Sequence, residues 1–191
     1  MSKNTPAKIA DEIASLFNDH GQDDYIGEKV SQIQHMTQCA ALASAAGHDE
    51  EIILAALLHD IGHLCEYVMP VERMEEFGVV DHEQLGYEYL MQKCFSDKVC
   101  KLVASHVQAK RYLTYKYPHY LELLSDASKA TLAFQGGPML PNEATRFERD
   151  PLFQYYLLLR RWDDQAKDPT IAPPSIDHYH TMIIRHLDGR I

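Results

Sequence analysis

The sequence has few of the signals that mark most functional classes. Apolar and polar residues nowhere alternate over a convincing run, so no strand and no sheet are expected. The four cysteines, Cys39, Cys65, Cys94 and Cys100, form no C-x-x-C pair, and they read as reduced, partly buried thiols. Positive charge is in the minority, with 18 Lys and Arg against 28 Asp and Glu and a net charge of -10. That balance argues against a nucleic-acid surface, which needs a basic patch. It leaves room for a small anion held by a few local cations. No apolar run is long enough to span a membrane, and nothing reads as a signal peptide, so a cytoplasmic protein is expected. Internal repeats and low-complexity segments are also missing.

What the chain does have is helical periodicity and histidine. Its 191 residues suit one domain spanning 1–191, and a hydrophobic content of 46% is enough for a real core. Amphipathic patterning predicts helices over 5–19, Ser31–Ala46, Glu50–Cys65, from Asp81, from Ser96, over Pro118–Phe134, from Pro151 and over Ile176–Leu187. Gly47 suits a helix C-terminus, and Asp81 and Ser96 suit N-caps. Residues 140–150 read as loop, and Glu66–Val80 as a loop with one short helix, placed to act as a lid. The fold class is therefore all-α, a helical bundle around the Glu50–Cys65 helix.

That central helix is apolar on every side from Ile52 to Leu58 and then presents His59 and Asp60. Burying a carboxylate beside an imidazole is costly unless both are paired or bound to a metal. His63 follows His59 by one helical turn, and Gly62 removes bulk between them, as a close approach requires. The eleven histidines invite a search for further ligands. His35, His82, His106 and Asp163 all fall on inward stripes of other predicted helices. With His59 and Asp60 they supply four imidazoles, two carboxylates and no thiolate. This mixture suits Fe or Mn better than structural zinc, and six ligands fit two metals with a bridging carboxylate, for which Asp60 is the natural candidate. Lys110 stands four residues after His106, and Arg160 three before Asp163. Cations beside a metal site need an anion to offset them, and a phosphate or phosphonate group does so. The bland alternative pairs both with nearby carboxylates such as Asp126. The remaining histidines, His20, His48, His119, His178, His180 and His186, read as surface or packing residues.

The order H…HD…H…H…D resembles the HD-domain superfamily, for which metal-dependent phosphohydrolysis is the first expectation. Further stretches resemble a smaller branch, the mixed-valent diiron oxygenases of the PhnZ type, 2-amino-1-hydroxyethylphosphonate dioxygenase and its relatives acting on the trimethylammonio substrate. They are Asp24-Tyr-Ile-Gly-Glu28, Gln34-His-x-x-Gln-Cys-Ala40, Ala55-Ala-Leu-Leu-His-Asp-x-Gly-His63, Gly78-Val-x-x-His82, His106-Val-x-Ala-Lys-Arg-Tyr-Leu113, Leu124-Ser-Asp-Ala-Ser128, Gln135-Gly-Gly-Pro-Met139 and Trp162-Asp163.

The resemblance implies two irons as a mixed-valent Fe(II)/Fe(III) pair, with O2 as co-substrate. The first iron would take His35, His59, Asp60 and Asp163; the second would take Asp60, His82 and His106, with Tyr25 in its remaining position until substrate arrives. His63, Lys110, Ser128 and Arg160 would hold a small organophosphonate, and Glu28 would contact its cationic nitrogen. O2 would then replace Tyr25, the C1 hydrogen would be removed, and C–P cleavage would give phosphate with glycine or glycine betaine. An upstream hydroxylase of the same pathway is the expected partner, with no nucleic acid and no membrane. Apart from the resemblance, a phenol and a carboxylate on one turn before the first ligand helix make a removable cap over an open metal position. The chain departs from the family pattern at Glu66-Tyr-Val-Met-Pro-Val71, where Tyr67 and Met69 at the site mouth would suit a quaternary ammonium through cation–π contact.

Overall fold

The computed structural model describes residues 5–25, 27–73, 78–172 and 174–191. Among these there is no strand, only two isolated bridges, Asp24 to Ser31 and Arg73 to Val79. The helices are α1 (Pro6–His20), α2 (Gln32–Ala45), α3 (Glu50–Leu58), α4 (Ile61–Leu64), α5 (His82–Gln92), α6 (Asp97–Lys116), α7 (Pro118–Leu123), α8 (Asp126–Phe134), α9 (Pro141–Phe147), α10 (Phe153–Gln165) and α11 (Asp177–Leu187). A short 3-10 turn, Cys65–Tyr67, follows α4.

The expected all-α bundle is present, with α3 at its centre among α2, α6, α10 and α11. Every residue from Ile52 to Leu58 is buried, so the run that is apolar on all sides is covered on all sides. Asp49 caps α3 by accepting the Ile52 N–H at 3.0 Å. Ser31 and Ser96 cap α2 and α6 in the same way, at 3.3 Å from Gln34 N and Val99 N respectively. In α2 the Gln34 side chain also returns to Ser31 N at 3.0 Å, completing a capping box.

Several expected boundaries are corrected. The central helix does not run to Cys65: it ends at Leu58, and Asp60 leaves helical geometry at φ -103°, ψ 13° before α4 begins. His59, just past the end of α3, and His63, within α4, therefore do not share one helix face. The Pro118–Phe134 segment splits at Leu124, because the Ser125 hydroxyl caps a new helix by accepting Ser128 N–H at 3.2 Å. Residues 140–150 hold α9, whose start lacks a capping side chain at Leu140; Glu143 instead bonds back to Leu140 N at 2.7 Å. Asp81 precedes α5 as expected, but it sits in the left-handed region at φ 51° and makes no capping bond. In the Glu66–Val80 segment, the described residues comprise the end of the 3-10 turn and the pairing of Glu72 and Arg73 with Val80 and Val79; Met74–Phe77 lie outside the described residues.

The close approach that Gly62 permits is to backbone. A Cβ there would stand 1.8 Å from the His82 carbonyl oxygen. Gly86, on the facing helix, would likewise press on Val103 and Ile61 at 3.1 and 3.2 Å. These two glycines let α4 meet α5 at the point where α5 begins with His82. We expect Gly62→Ala to push the helices apart, at a cost of about 1–3 kcal/mol or more for overpacking. A lowered Tm together with reduced metal content would be observed; a variant with unchanged Tm would show that the contact yields freely.

Candidate metal centre

The six expected ligands converge in one buried cluster. Each of His35, His59, Asp60, His82, His106 and Asp163 is at most 5% exposed. Asp60 stands in the middle, and its two oxygens face opposite pairs of rings. Oδ2 lies 3.5 Å from His35 Nε2 and 3.3 Å from His59 Nε2. Oδ1 lies 3.4 Å from His82 Nε2 and 3.2 Å from His106 Nε2. Asp163 Oδ1 joins the first group, 3.4 Å from His35 Nε2. Within each pair the ring nitrogens face one another, His35 to His59 at 3.0 Å and His82 to His106 at 2.9 Å.

The outer edges of the rings decide what those inner nitrogens are. His59 Nδ1 donates to the Ala56 carbonyl at 2.8 Å, His106 Nδ1 to Val103 at 2.8 Å and His35 Nδ1 to Ala166 at 2.9 Å. A neutral imidazole that donates from Nδ1 carries a lone pair on Nε2. Lone pairs and carboxylate oxygens thus point at one another, with Asp60 Oδ2 and Asp163 Oδ1 lacking any hydrogen-bond partner. A cation satisfies such a set, and backbone-anchored imidazoles of this tautomer are the usual arrangement around metals. The residues fit two cations bridged by Asp60: His35, His59 and Asp163 stand within ligand reach of one another on one side, and His82 and His106 face the other oxygen.

Electrostatics follow the same logic. Burial pushes the Asp60 carboxyl up, but His59 and the other imidazoles outweigh it and hold the group well below its ordinary range. Asp163 behaves likewise, with Arg160 as the main counterweight to burial. Burial disfavours a charged His59, yet the Asp60 carboxylate lifts it well above its usual value, whereas burial prevails at His106 and lowers it. Two carboxylates among four imidazoles thus attract positive charge, and metal ions take the place of protons in such a set.

His63 has a different role from the four inner histidines. It stacks on His82 with centroids 4.0 Å apart, and its Nδ1 accepts the Val79 N–H at 3.3 Å. Its proton is therefore on Nε2, which makes it a donor and not a ligand in this tautomer. Burial, followed by the nearby His82, keeps it neutral by lowering its pKa well below the ordinary value.

A cavity of about 60 Å³ opens on the cluster, lined by Tyr25, Glu28, Asp60, His63, His82, His106, Lys110, Ser128, Arg160 and Asp163. Every residue expected in the site except His35 and His59, which lie behind, thus reaches its wall. Tyr25 stacks on His35 at 4.0 Å, and burial beside Asp60 and Asp163 pushes its phenol well up. Lys110 is 3% exposed and donates to Thr131 Oγ1 at 2.9 Å, with no carboxylate partner among the described residues. Burial, followed by repulsion from Arg160, brings its amine down to about 7.

Arg160 is more committed than expected. Nη1 holds Asp163 Oδ2 at 2.6 Å, Nη2 holds Asp164, and Nε donates to Tyr120 Oη at 3.0 Å. Three of its five N–H groups are used, which leaves two for a ligand. The bland alternative, pairing with nearby carboxylates, thus holds for Arg160 through Asp163 and Asp164 and fails for Lys110; Asp126 serves neither, being exposed and 3.9 Å from Lys129.

Six wall residues were not expected there: the apolar Val107 and Ala127, and the polar Gln32, Gln135, Thr131 and Lys167. Gln32 and Gln135 each keep a buried Oε1 without a hydrogen-bond partner. The spacing of Gln32 three residues before His35, and of Lys167 four after Asp163, is the signal that would have found two of them. One oxygen of Glu28 is already occupied: Oε1 accepts from Ser125 Oγ at 2.6 Å and from Lys167 Nζ at 2.7 Å. The expected contact of Tyr67 with a ligand is also corrected. Its ring stacks on His20 at 3.6 Å and its hydroxyl donates to Asp23, away from the cavity, while Met69 packs against the core.

An HD-domain family model matches residues 33–136. The chain belongs to the HD-domain family. Among its relatives, a [1-hydroxy-2-(trimethylamino)ethyl]phosphonate dioxygenase (glycine-betaine-forming) from Leisingera caerulea is 36% identical, over 98% of this chain and 95% of its own length. A hydroxymethylphosphonate dioxygenase from Gimesia maris is 38% identical, over 94% and 88%. An uncharacterised protein of Acanthamoeba polyphaga mimivirus is 43% identical, over 92% and 80%. Within the HD family the chain thus falls in the PhnZ-type dioxygenase branch.

Two outcomes are expected. Asp60→Ala should abolish binding of both metal ions, whereas His106→Ala should leave about half, as read by elemental analysis; full metal content in Asp60→Ala would remove the bridging role. Lys110 loses its charge above about pH 7, so its burial opposes folding most below that pH, and the cost fades as pH rises toward 10.5. An anion in the cavity reverses the sign of that interaction. Millimolar sulfate, dianionic throughout, should therefore raise Tm more at pH 6 than at pH 8.5, and Lys110→Met should erase the difference.

Proposed function

We propose that the protein is an iron-dependent oxygenase that uses O2 to cleave the C–P bond of a small 1-hydroxyphosphonate, releasing phosphate and the corresponding carboxylic acid. The balance closes: substrate plus O2 equals carboxylic acid plus phosphoric acid, with C1 oxidised and O2 reduced. One observation carries the reading: a carboxylate shared between two imidazole pairs faces a small cavity whose opposite requirement, positive charge for an anion, is met by Lys110 and Arg160. The two relatives named as dioxygenases support it, since both names specify a phosphonate bearing a hydroxyl on C1.

Two irons, in the Fe(II)/Fe(III) state that the family resemblance implies, would be held by His35, His59, Asp60 and Asp163 and by Asp60, His82 and His106, and would supply O2 activation. The chain's own groups do the rest. Lys110, charged once an anion is present, and the two free N–H groups of Arg160 receive phosphonate oxygens, with His63 Nε2–H as a neutral donor. The Ser128 hydroxyl lies on the same wall and serves as a further donor. Arg160 also fixes Asp163, so substrate and ligand positions share one guanidinium. Tyr25, stacked on His35, covers the cluster and keeps water and O2 from it until substrate moves the ring. The product carboxylate and phosphate each retain an oxygen for Lys110 to hold until release.

The test is direct. Iron-loaded protein with hydroxymethylphosphonate and O2 should release phosphate and consume O2 in equal amounts, contain two irons per chain and give a mixed-valent EPR signal. Phosphate release from a phosphate ester with Mn or Mg, without O2 uptake, would instead identify a hydrolase.

A further inference from the structure

The contact between Glu28 and Lys167 sets the charge of the cavity wall. The wall contains three carboxylates, Asp60, Asp163 and Glu28. The first two face imidazoles and Arg160. Glu28 is the one that a cationic substituent would need, and its Oε1 is taken by Lys167 Nζ at 2.7 Å. The pair is largely sheltered, with 12% of the glutamate and 16% of the lysine side chain exposed. Lys167 is fixed through the backbone on either side of it. It follows Ala166, whose carbonyl anchors His35, and precedes Asp168, which is tied to Gln38 in both directions at 2.7 and 3.2 Å. A ligand ammonium entering beside Glu28 would either face the lysine charge or strip it of its partner, and in a poorly hydrated site both are costly.

From this we infer that Lys167 is a specificity-determining residue: by occupying Glu28 it makes the cavity reject ammonium-bearing hydroxyphosphonates and select small, nitrogen-free ones. The inference rests on the reading of this cavity as a hydroxyphosphonate site. Lys110, Arg160 and Lys167 give the wall three cations, while Glu28 is its only carboxylate outside the metal cluster. Such a wall suits a compact dianion and disfavours a zwitterion.

The experiment measures binding without turnover. Iron-loaded protein is titrated anaerobically, by calorimetry, with hydroxymethylphosphonate and with 2-amino-1-hydroxyethylphosphonate. The wild type should bind the nitrogen-free ligand at least about tenfold more tightly, as expected for one unfavourable charge contact in a partly buried site. Lys167→Met should shrink that ratio by a similar factor, and Lys167→Arg should retain it. Equal or tighter binding of the amine by the wild type overturns the inference, and that arm needs no variant to fold. So does an unchanged ratio in Lys167→Met at full iron content. Binding of neither ligand overturns both the inference and the reading beneath it. The expected binding ratio without phosphate release under O2 leaves the charge selection standing and defeats the oxygenase reading alone.

Discussion

The position of one carboxylate governs much of this structure. Asp60 lies 2% exposed, with an imidazole pair against each oxygen, in the middle of the helical bundle. A charge so placed is tolerable only when every neighbour is arranged around it. α3 stops at Leu58, so that Asp60 can turn out of the helix and lie between the rings. α4 and α5 meet through Gly62 because His82, the first residue of α5, has to come within reach of Oδ1. Three of the four ring edges turned away from Asp60, those of His59, His106 and His35, are tied to backbone carbonyls in α3, α6 and the end of α10, whereas His82 Nδ1 has no such partner.

Positive charge is distributed around that centre in two ways. Arg160 is bound to Asp163, Asp164 and Tyr120 and serves the metal cluster as much as the cavity. Lys110 has only a hydroxyl and a distant carbonyl, Ser128 O at 3.5 Å, and its amine stands near neutrality in consequence. A buried lysine without a carboxylate is destabilising by itself, and its presence beside a carboxylate-rich cluster is understandable if the missing counter-charge is a ligand's.

The sequence made the metal cluster legible because each ligand lies on an apolar helical stripe, where a polar residue has to be explained. His35, His82, His106 and Asp163 are buried as their spacing required. What was not legible depends on departures from helical spacing or on partners remote in sequence. The break at Asp60 occurs within a run whose periodicity continues unbroken, so nothing local separates His59 from His63. Ser125 is a readable N-cap, but helix-forming residues on both sides masked it. Tyr67 was placed by its neighbours in sequence, whereas stacking on His20 and a bond to Asp23 decide its position. Lys167 and Glu28 are 139 residues apart, and only the fold brings them together.

That long-range pair is coupled to the metal centre by shared parts. The segment 166–168 leaves α10 and crosses α2, held by the His35 ring to the Ala166 carbonyl and by the Gln38 side chain to both backbone groups of Asp168. His35 thus orients a metal-facing nitrogen with one edge and positions Lys167 with the other. Lys167 in turn holds Glu28, three residues beyond Tyr25, whose ring lies on His35. The loop over the cluster and the cation beside the cavity are therefore anchored to the same imidazole. A change at His35 therefore reaches the metal cluster, the tyrosine cover and the lysine beside the wall together, although Ser125 and Gln38 also hold Glu28 and Asp168. Such an arrangement links access to the centre with its assembly, because one ring touches the metal ligands, the tyrosine cover and the segment that carries Lys167.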